Sequence, residues 1–327
     1  MKHLLRVFDG YNKAGLYIAT ILLSVVGILI LGSLPIAIVM MIQSLESGEL
    51  LAPDFNELPY YQSLLLQFST FVIGVAVLFG CIRIFHKRGF RDVINGGRPV
   101  RWGHFFSAFG LYILLMALVM GLLMVFNPEN FILQFDAGSF FPALIVLLVC
   151  VPFQTFFEEY LFRGYLMQAS AAWTRRVWVA LLLPALLFGL AHSANPEVEA
   201  YGFLIMMAQY LLFGLIFGWF TLSDDGLEVS WGMHTANNLF LLIFFTSANT
   251  ALPTPAVWMM VDAAPVWSDI LEMVAVTGVI WLILKRKYKW ELPRLFGRLE
   301  APAAASDPAE GLNASDSLNA DGNVHSI

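Results

Sequence analysis

Charged side chains are scarce in this sequence of 327 residues. Asp, Glu, Lys and Arg make up 13% of it, whereas 59% of the residues are hydrophobic. An ordinary water-soluble domain carries about 25% charged residues, so the composition excludes that class. Long stretches contain no charge at all, and they cover residues 14–45, 58–82, 102–128, 137–157, 177–196, 200–223 and 229–261.

Cysteine is rare as well, because Cys81 and Cys150 are the two in the chain. Both fall in charge-free, apolar segments, which excludes a small secreted domain held together by disulfides. The sequence also has no Gly-x-Ser-x-Gly nucleophile elbow and no His-Glu-x-x-His zinc motif. We therefore predict no cofactor and no bound metal.

The apolar segments that remain are typical of a polytopic membrane protein with a mean hydropathy of +0.73. Most reach the roughly 20 residues that a helix needs to cross the hydrocarbon core of a bilayer. We predict an all-α transmembrane helix bundle of about eight helices. They are expected near residues 15–43, 61–83, 104–126, 140–162, 177–195, 203–222, 230–247 and 266–284.

The basic residues predict the orientation of this bundle. Eight crossings place all 18 Lys and Arg at or beside one face, Arg163 included, and the opposite loops hold acidic residues and no base. Because basic loops stay in the cytoplasm, we predict cytoplasmic N- and C-termini, with the 83–101 loop inside and the 46–58 loop outside. The negative net charge of −6 gives no indication of a nucleic-acid partner.

Two domains of unequal size follow from the composition. Residues 1–298 form the membrane-embedded part, with its motifs between 140 and 247. Residues 299–327 are rich in Ala, Ser, Asp, Asn and Gly, which predicts a disordered cytoplasmic tail. We expect an integral protein of a bacterial inner membrane, and the sequence contains no signal for its oligomeric state.

Three groups of polar residues interrupt the apolar segments. Glu158 and Glu159 are adjacent, and Arg163 follows one helical turn after Glu159. This spacing predicts an ion pair between Glu159 and Arg163, while Glu158 points about 100° away. The other groups are His192 in the fifth predicted helix and His234 with Asn238, one turn apart, in the seventh.

A carboxylate, two imidazoles and an amide can together hydrolyse an amide bond. The carboxylate removes a proton from water, and imidazole and amide groups orient that water or donate hydrogen bonds to the oxyanion. Polar residues in membranes have other uses, so three alternatives stay open: a zinc-dependent membrane protease, a transport protein with a proton relay, and a non-catalytic immunity or scaffold protein.

The same residues resemble the CPBP-type intramembrane glutamic endopeptidases, a group that contains the CAAX prenyl-protein processing proteases and the bacterial Abi proteins. That family shows Glu-Glu-x-x-x-Arg, Phe-x-x-x-His and His-x-x-x-Asn/Asp on successive membrane helices. Here the motifs are Glu158-Glu159-x-x-x-Arg163, Phe188-x-x-x-His192 and His234-x-x-x-Asn238.

The resemblance implies a catalytic set of six residues: Glu158, Glu159, Arg163, His192, His234 and Asn238. In this set Glu158 activates water with His192, and His234 and Asn238 position the water or stabilise the oxyanion. Glu159 and Arg163 hold the site together. The implied partners are the lipid bilayer and a membrane-associated protein or peptide substrate.

The depths of these residues in the membrane conflict under the predicted boundaries. Glu158 would lie about 27 Å along the fourth helix, near the cytoplasmic face. His192 comes 16 residues after Arg176 and would lie near the other face. Either the fourth helix continues well past Arg163, or the fifth helix begins in the cytoplasm or breaks near Pro184.

Overall fold

A computed structural model describes residues 2–48, 58–261 and 264–300 of the chain. Within these residues the chain folds into a helix bundle with a very small sheet. The helices are α1 (Lys2–Leu5), α2 (Ala14–Gly32), α3 (Leu34–Ser47), α4 (Tyr60–His86), α5 (Phe90–Asn95), α6 (Trp102–Phe126), α7 (Ala137–Glu159), α8 (Met167–Thr174), α9 (Val177–Ala191), α10 (Pro196–Tyr201), α11 (Phe203–Asp224), α12 (Glu228–Phe244) and α13 (Trp267–Tyr288).

The all-α polytopic fold predicted from hydropathy is confirmed, and each of the eight predicted crossings corresponds to a helix. Six helical segments of the described residues are long and apolar enough to span a membrane: 14–46, 60–86, 102–126, 137–174, 203–224 and 267–288. The other two crossings, α9 and α12, have 15 and 17 residues. Helix α12 packs against α6, α7 and α11, whereas α9 buries one face against α11 and exposes large apolar side chains such as Trp178 and Leu190 on the other.

The fourth crossing differs most from its predicted end at residue 162. A π-helix at Tyr160–Leu166 joins α7 to α8, so one helix of 38 residues runs from Ala137 to Thr174. At about 1.5 Å per residue it is far longer than the bilayer core, and its second half extends beyond the span predicted from hydropathy. The helix ends at Thr174, and the chain turns back at Arg175.

A three-stranded sheet, absent from the predicted elements, closes one end of the bundle. Its strands are β1 (Phe131–Leu133), β2 (Phe245–Thr246) and β3 (Trp258–Met260), in the order β1-β3-β2. Strand β3 pairs antiparallel with β1, where Phe131 lies opposite Met260, and parallel with β2. These strands are too short and too apolar to be distinguished from helix ends by periodicity.

Helix α12 lies at the centre of the bundle and packs against α6, α7 and α11. Its contact with α6 is so close that a Cβ atom at Gly232 would collide with the carbonyl oxygen of Phe105. Small residues allow such close helix approach in membrane proteins. This packing places the motif residues of α12 beside those of α7.

Asp224, Asp225 and Glu228 form an acidic turn on the face where the basic residues are predicted to lie, and they are ion-paired there. Arg101 bridges Asp224 and Glu228, at 2.8 and 2.5 Å, and Arg98 lies 3.2 Å from Asp225. Burial alone would lower the pKa of the Arg101 guanidinium, but its bonds to Glu228 and Asp224 raise it. Two bases of the 83–101 loop therefore offset most of the charge of the three carboxylates in the turn at residues 224–228.

The orientation of the bundle leads to a labelling experiment. In a background with Cys81→Ala and Cys150→Ala, we expect Glu129→Cys to react in intact cells with a membrane-impermeant maleimide, because the acidic loops face outside. Arg91→Cys should react only after the membrane is permeabilised. Both native side chains are exposed, so burial does not confound the comparison. Labelling of Arg91→Cys alone in intact cells would reverse the predicted topology.

The predicted outside loop between α3 and α4 lies mostly outside the described residues, as does the predicted tail from residue 301.

Candidate functional site

Glu158 and Glu159 are the last residues of α7, at the point where the helix changes to π geometry. π-helical turns are rare and often occur at functional sites, because they alter which side chains share a face. Arg163 lies within the π-helix and is 1% exposed. The helix continues through Thr174, beyond its predicted end at residue 162, so Arg163 lies inside the bundle and not at a helix end.

The long helix also removes the conflict in depth. Glu158 precedes Arg175 by 17 residues, and His192 follows Arg176 by 16. If the two helices run antiparallel from this turn, both residues lie about 25 Å from it. The rings of Phe162 and Phe188 meet at 5.3 Å, which confirms the side-by-side packing. Of the alternatives left open by the sequence, the structure supports the extended fourth helix, and α9 continues through Pro184.

Glu159 is the centre of the charged cluster. Its Oε1 atom accepts hydrogen bonds from Arg163 Nη1 and from His234 Nδ1, both at 2.9 Å. The predicted ion pair between Glu159 and Arg163 is therefore present, and Glu159 is fully buried. A buried pair of this kind is costly to break, because the remaining charge has lost its water.

Aromatic rings enclose the guanidinium of Arg163. Its Cζ atom lies 4.3 Å from the centre of the Phe188 ring and 5.4 Å from that of Phe217. Such contacts stabilise a cation by about 0.5–2 kcal/mol and more strongly when water is excluded. Phe188, the first residue of the second motif, thus belongs to the wall of the site.

Glu158 is held differently from its neighbour. Gln154 Nε2 donates a hydrogen bond of 2.5 Å to Glu158 Oε1. Glu158 Oε2 is buried and has no hydrogen-bond partner in the described part of the chain. It lies 3.6 Å from His234 Nε2, which exceeds the length of a direct hydrogen bond.

The two carboxylates together orient the ring of His234. Because the carboxylate of Glu159 can only accept a hydrogen bond, His234 Nδ1 is the donor and carries the proton. In a neutral ring Nε2 then has a free lone pair, and it faces Glu158 Oε2. The ring itself stacks on Phe217 with a centroid distance of 5.1 Å. A fixed tautomer of this kind is what acid–base chemistry at a histidine requires.

A chain of hydrogen bonds extends from Glu158 across three helices. Asn238 Nδ2 donates to Gln154 Oε1 at 3.0 Å, Asn237 Nδ2 donates to Asn238 Oδ1 at 3.0 Å, and Tyr112 donates to Asn237 Oδ1 at 2.9 Å. Asn238 therefore reaches Glu158 through Gln154. The role of Gln154 as a link was missed by sequence reasoning, although its position one turn before Glu158 is a visible signal.

His192 occupies a separate part of the site. It follows the last residue of α9, its Nδ1 donates to the Phe188 carbonyl oxygen at 2.8 Å, and its ring stacks on Tyr210 at 4.8 Å. Within the described residues it forms no hydrogen bond or ion pair with Glu158. The Phe188 ring contacts both His192 and His234, with centroid distances of 4.4 and 6.2 Å. His192 thus lies one ring away from the carboxylate cluster.

The N-terminal segment also contacts the site. His3 Nε2 donates a hydrogen bond of 3.1 Å to the carbonyl oxygen of Arg163 in the π-helix. Gln168 Nε2 donates to the carbonyl oxygen of His3 at 2.9 Å. Burial lowers the pKa of His3, which favours its neutral form. Nothing in the sequence motifs indicates this contact between residues 160 positions apart.

Metal-binding geometry does not occur among residues 2–48, 58–261 and 264–300, where no three His, Cys, Asp or Glu side chains lie close enough to hold an ion.

Comparisons with known proteins agree with the motif resemblance. Residues 138–240 match the family described as "Type II CAAX prenyl endopeptidase Rce1-like", and this segment contains all six predicted site residues. A Bacillus subtilis (strain 168) protein described as "Uncharacterized protein YyaK" is 29% identical over 298 residues, which are 88% of this chain and 99% of that protein. No solved structure matches the chain at a significant level. The resemblance to the CAAX protease-like family is therefore confirmed.

Proposed function

Since residues 138–240 match the Rce1-like family of CAAX-type membrane proteases, we propose that this protein is an intramembrane glutamic endopeptidase. It hydrolyses a peptide bond in a membrane-associated protein or peptide, using water activated by Glu158. The protein acts from within the bilayer, and a bacterial cell membrane is its proposed location because the relative comes from Bacillus.

One observation supports this function best, namely the different surroundings of the two adjacent carboxylates. Glu159 is paired through Oε1 with Arg163 and His234, which balances its charge, although its Oε2 is also buried without a hydrogen-bond partner among the described residues. Glu158 Oε2 is buried, without a hydrogen-bond partner among the described residues, and it faces the free nitrogen of His234 at 3.6 Å. Glu158 therefore keeps one carboxylate oxygen free to take a proton from water.

The proposed first step uses a water molecule within reach of both Glu158 Oε2 and His234 Nε2. Each of these two atoms accepts a hydrogen bond from one O–H group of the water. The remaining lone pair of the water oxygen then points toward the substrate carbonyl carbon. Glu158 takes the proton as the oxygen attacks, and the carbonyl electron pair moves to the oxyanion. Gln154 holds the other oxygen of Glu158 and prevents the carboxylate from rotating.

Donors for the oxyanion come from the remaining polar residues. Asn238 uses one N–H of its amide on Gln154 and keeps the second. His192 donates with Nε2 when it is protonated, because Nδ1 is already bound to the Phe188 carbonyl. Collapse of the tetrahedral intermediate breaks the C–N bond, and the protonated Glu158 returns its proton to the leaving amine. This assigns water positioning to His234 and gives His192 a part in charge stabilisation.

The roles of the three polar partners lead to a test with single variants. Purified protein is incubated with a detergent extract of membrane proteins, and new peptide termini are identified by mass spectrometry. We expect His192→Ala, His234→Ala and Asn238→Ala each to slow formation of these termini by roughly 10²–10³, the cost of losing one oxyanion donor or the acceptor that positions the water. The His192→Ala/His234→Ala variant should be little worse than the poorer single variant.

Ser193→Ala is the matched control, since the Ser193 hydroxyl donates to the Leu190 carbonyl next to His192 and has no place in the proposed chemistry. It should cleave at the native rate. Native rates in all three polar variants would refute hydrolysis at this site, and absence of cleavage by the native protein would favour the scaffold alternative. Loss of native activity on chelation, with recovery on addition of zinc, would instead support the zinc protease.

A further inference from the structure

A cavity of about 520 Å³ lies between α6, α11, α12 and α13, at the end of the bundle that the small sheet closes. Its volume is in the range of ligand pockets, about 300–1,000 Å³. Four methionines, Met116, Met120, Met260 and Met273, supply much of its apolar wall. Methionine-rich walls adapt to apolar groups of different shape, as in promiscuous binding surfaces.

The polar part of the wall has one sign of charge. Asp269 and Glu272 line the cavity, and none of its lining residues is basic. Asp269 accepts a hydrogen bond from the Val266 backbone N–H, so it is occupied in capping α13. Glu272 has no hydrogen-bond or ion-pair partner among the described residues. An acidic group in a membrane helix calls for a specific reason, because charge inside the apolar region is costly.

Amide side chains complete the wall. Asn127, Asn130, Gln209 and Asn237 all line the cavity. Amides offer both donors and acceptors, and these match the C=O and N–H groups of a peptide backbone. The acyl chain of a lipid has no such groups. The combination of amides, apolar side chains and one unpaired carboxylate therefore favours a peptide over a lipid as occupant.

The cavity is connected to the proposed catalytic carboxylate. Tyr112 and Asn237 line it, and they form the far end of the hydrogen-bond chain that reaches Glu158 through Asn238 and Gln154. Phe213 also lines it, and its carbonyl oxygen accepts a hydrogen bond of 3.4 Å from Arg163. An occupant would therefore touch residues that are linked by hydrogen bonds to Glu158 on one side of the site and to Arg163 on the other.

We propose that this cavity binds a segment of the substrate polypeptide that carries a Lys or Arg side chain among apolar residues, and that Glu272 pairs with the cation. This assignment rests on the proposed function, because a substrate peptide is expected only if the protein is a peptidase. The cavity would then select substrates by a basic residue at a fixed distance from the bond that is cleaved.

Binding of two synthetic peptides tests the assignment. Both are fluorophore-labelled octapeptides of Leu, Val and Ala, and they differ by Lys or Gln at one central position. Fluorescence anisotropy with the full chain in detergent should show that the native protein binds the Lys peptide about five- to tenfold more tightly, the effect of one partly solvated ion pair. Glu272→Gln should remove this preference and leave the affinity for the Gln peptide unchanged.

Glu291→Gln is the matched control, because Glu291 is an exposed carboxylate just beyond α13. It makes the same change in net charge and should keep the preference. Equal affinity of the native protein for both peptides, or a preference that persists in Glu272→Gln, would overturn the assignment. The assignment would also be overturned if Glu272-dependent binding were seen with vesicles that contain a cationic lipid and not with the Lys peptide.

The binding readout separates this assignment from the proposed function. A Glu272-dependent preference without cleavage of either peptide would support the cavity as a peptide site and count against hydrolysis. Cleavage of both peptides at rates that Glu272→Gln does not change would support hydrolysis and refute the cavity assignment.

Discussion

Glu158→Gln is expected to reduce hydrolysis by about 10²–10⁴, the usual contribution of a positioned general base. The amide that replaces the carboxylate has no basic oxygen with which to take a proton from water. Its oxygen can still accept the hydrogen bond from Gln154, and its N–H₂ group faces the free nitrogen of His234. The variant should therefore fold as the native protein does, with an unchanged thermal transition in detergent.

The rate of peptide-terminus formation and the unfolding transition of Glu158→Gln are to be measured on the same preparation. Glu129→Gln is the matched control, since Glu129 is exposed near the end of α6 and far along the chain from the motifs. It should match the native protein in both measurements. A Glu158→Gln variant that retains the native rate would exclude Glu158 as the base.

Glu159→Gln is expected to lower the free energy of unfolding by about 3–5 kcal/mol, the cost of breaking a buried ion pair from one side. Arg163 would keep its charge in a site with 1% exposure and lose its carboxylate. The amide oxygen can still accept the hydrogen bond from His234 Nδ1, so the loss comes from the missing charge opposite Arg163. Denaturant titration of helix content in detergent measures the loss, and low expression should accompany it.

A double variant separates the ion pair from the rest of this effect. Glu159→Gln with Arg163→Met removes both charges, so it should be more stable than Glu159→Gln alone, although not catalytically active. Glu158→Gln is the internal control at the adjacent position. If Glu158→Gln lost as much stability as Glu159→Gln, the division of the two carboxylates into a base and a structural ion would be incorrect.

The sequence predicts this division because helical spacing depends on local geometry alone. Arg163 follows Glu159 by four residues, so their pairing requires only that the segment is helical. The same reasoning identifies the crossings, since their apolar stretches are long compared with the fluctuations of hydropathy. These features are local, and the structure agrees with them.

Features that depend on packing could not be predicted in the same way. The link between Asn238 and Glu158 passes through Gln154, which requires knowledge of how α12 lies against α7. The predicted end of the fourth helix put Glu158 too close to the cytoplasmic turn to lie level with His192, because the helix after Arg163 continues with few charges to mark where the membrane ends. The π-helix has no sequence signature of its own, since its residues are also compatible with α geometry.

The contact between His3 and Arg163 has a consequence for the order in which the protein is assembled. His3, in the first helical turn of the chain, donates a hydrogen bond to the carbonyl group of Arg163, which is synthesised 160 residues later. The first turn therefore cannot dock until the long helix has entered the membrane. Until then His3 and its neighbour Leu4, which is 1% exposed in the folded protein, remain without their partners. A fusion or tag placed directly before residue 3 would therefore disturb this contact, at a point next to the charged cluster.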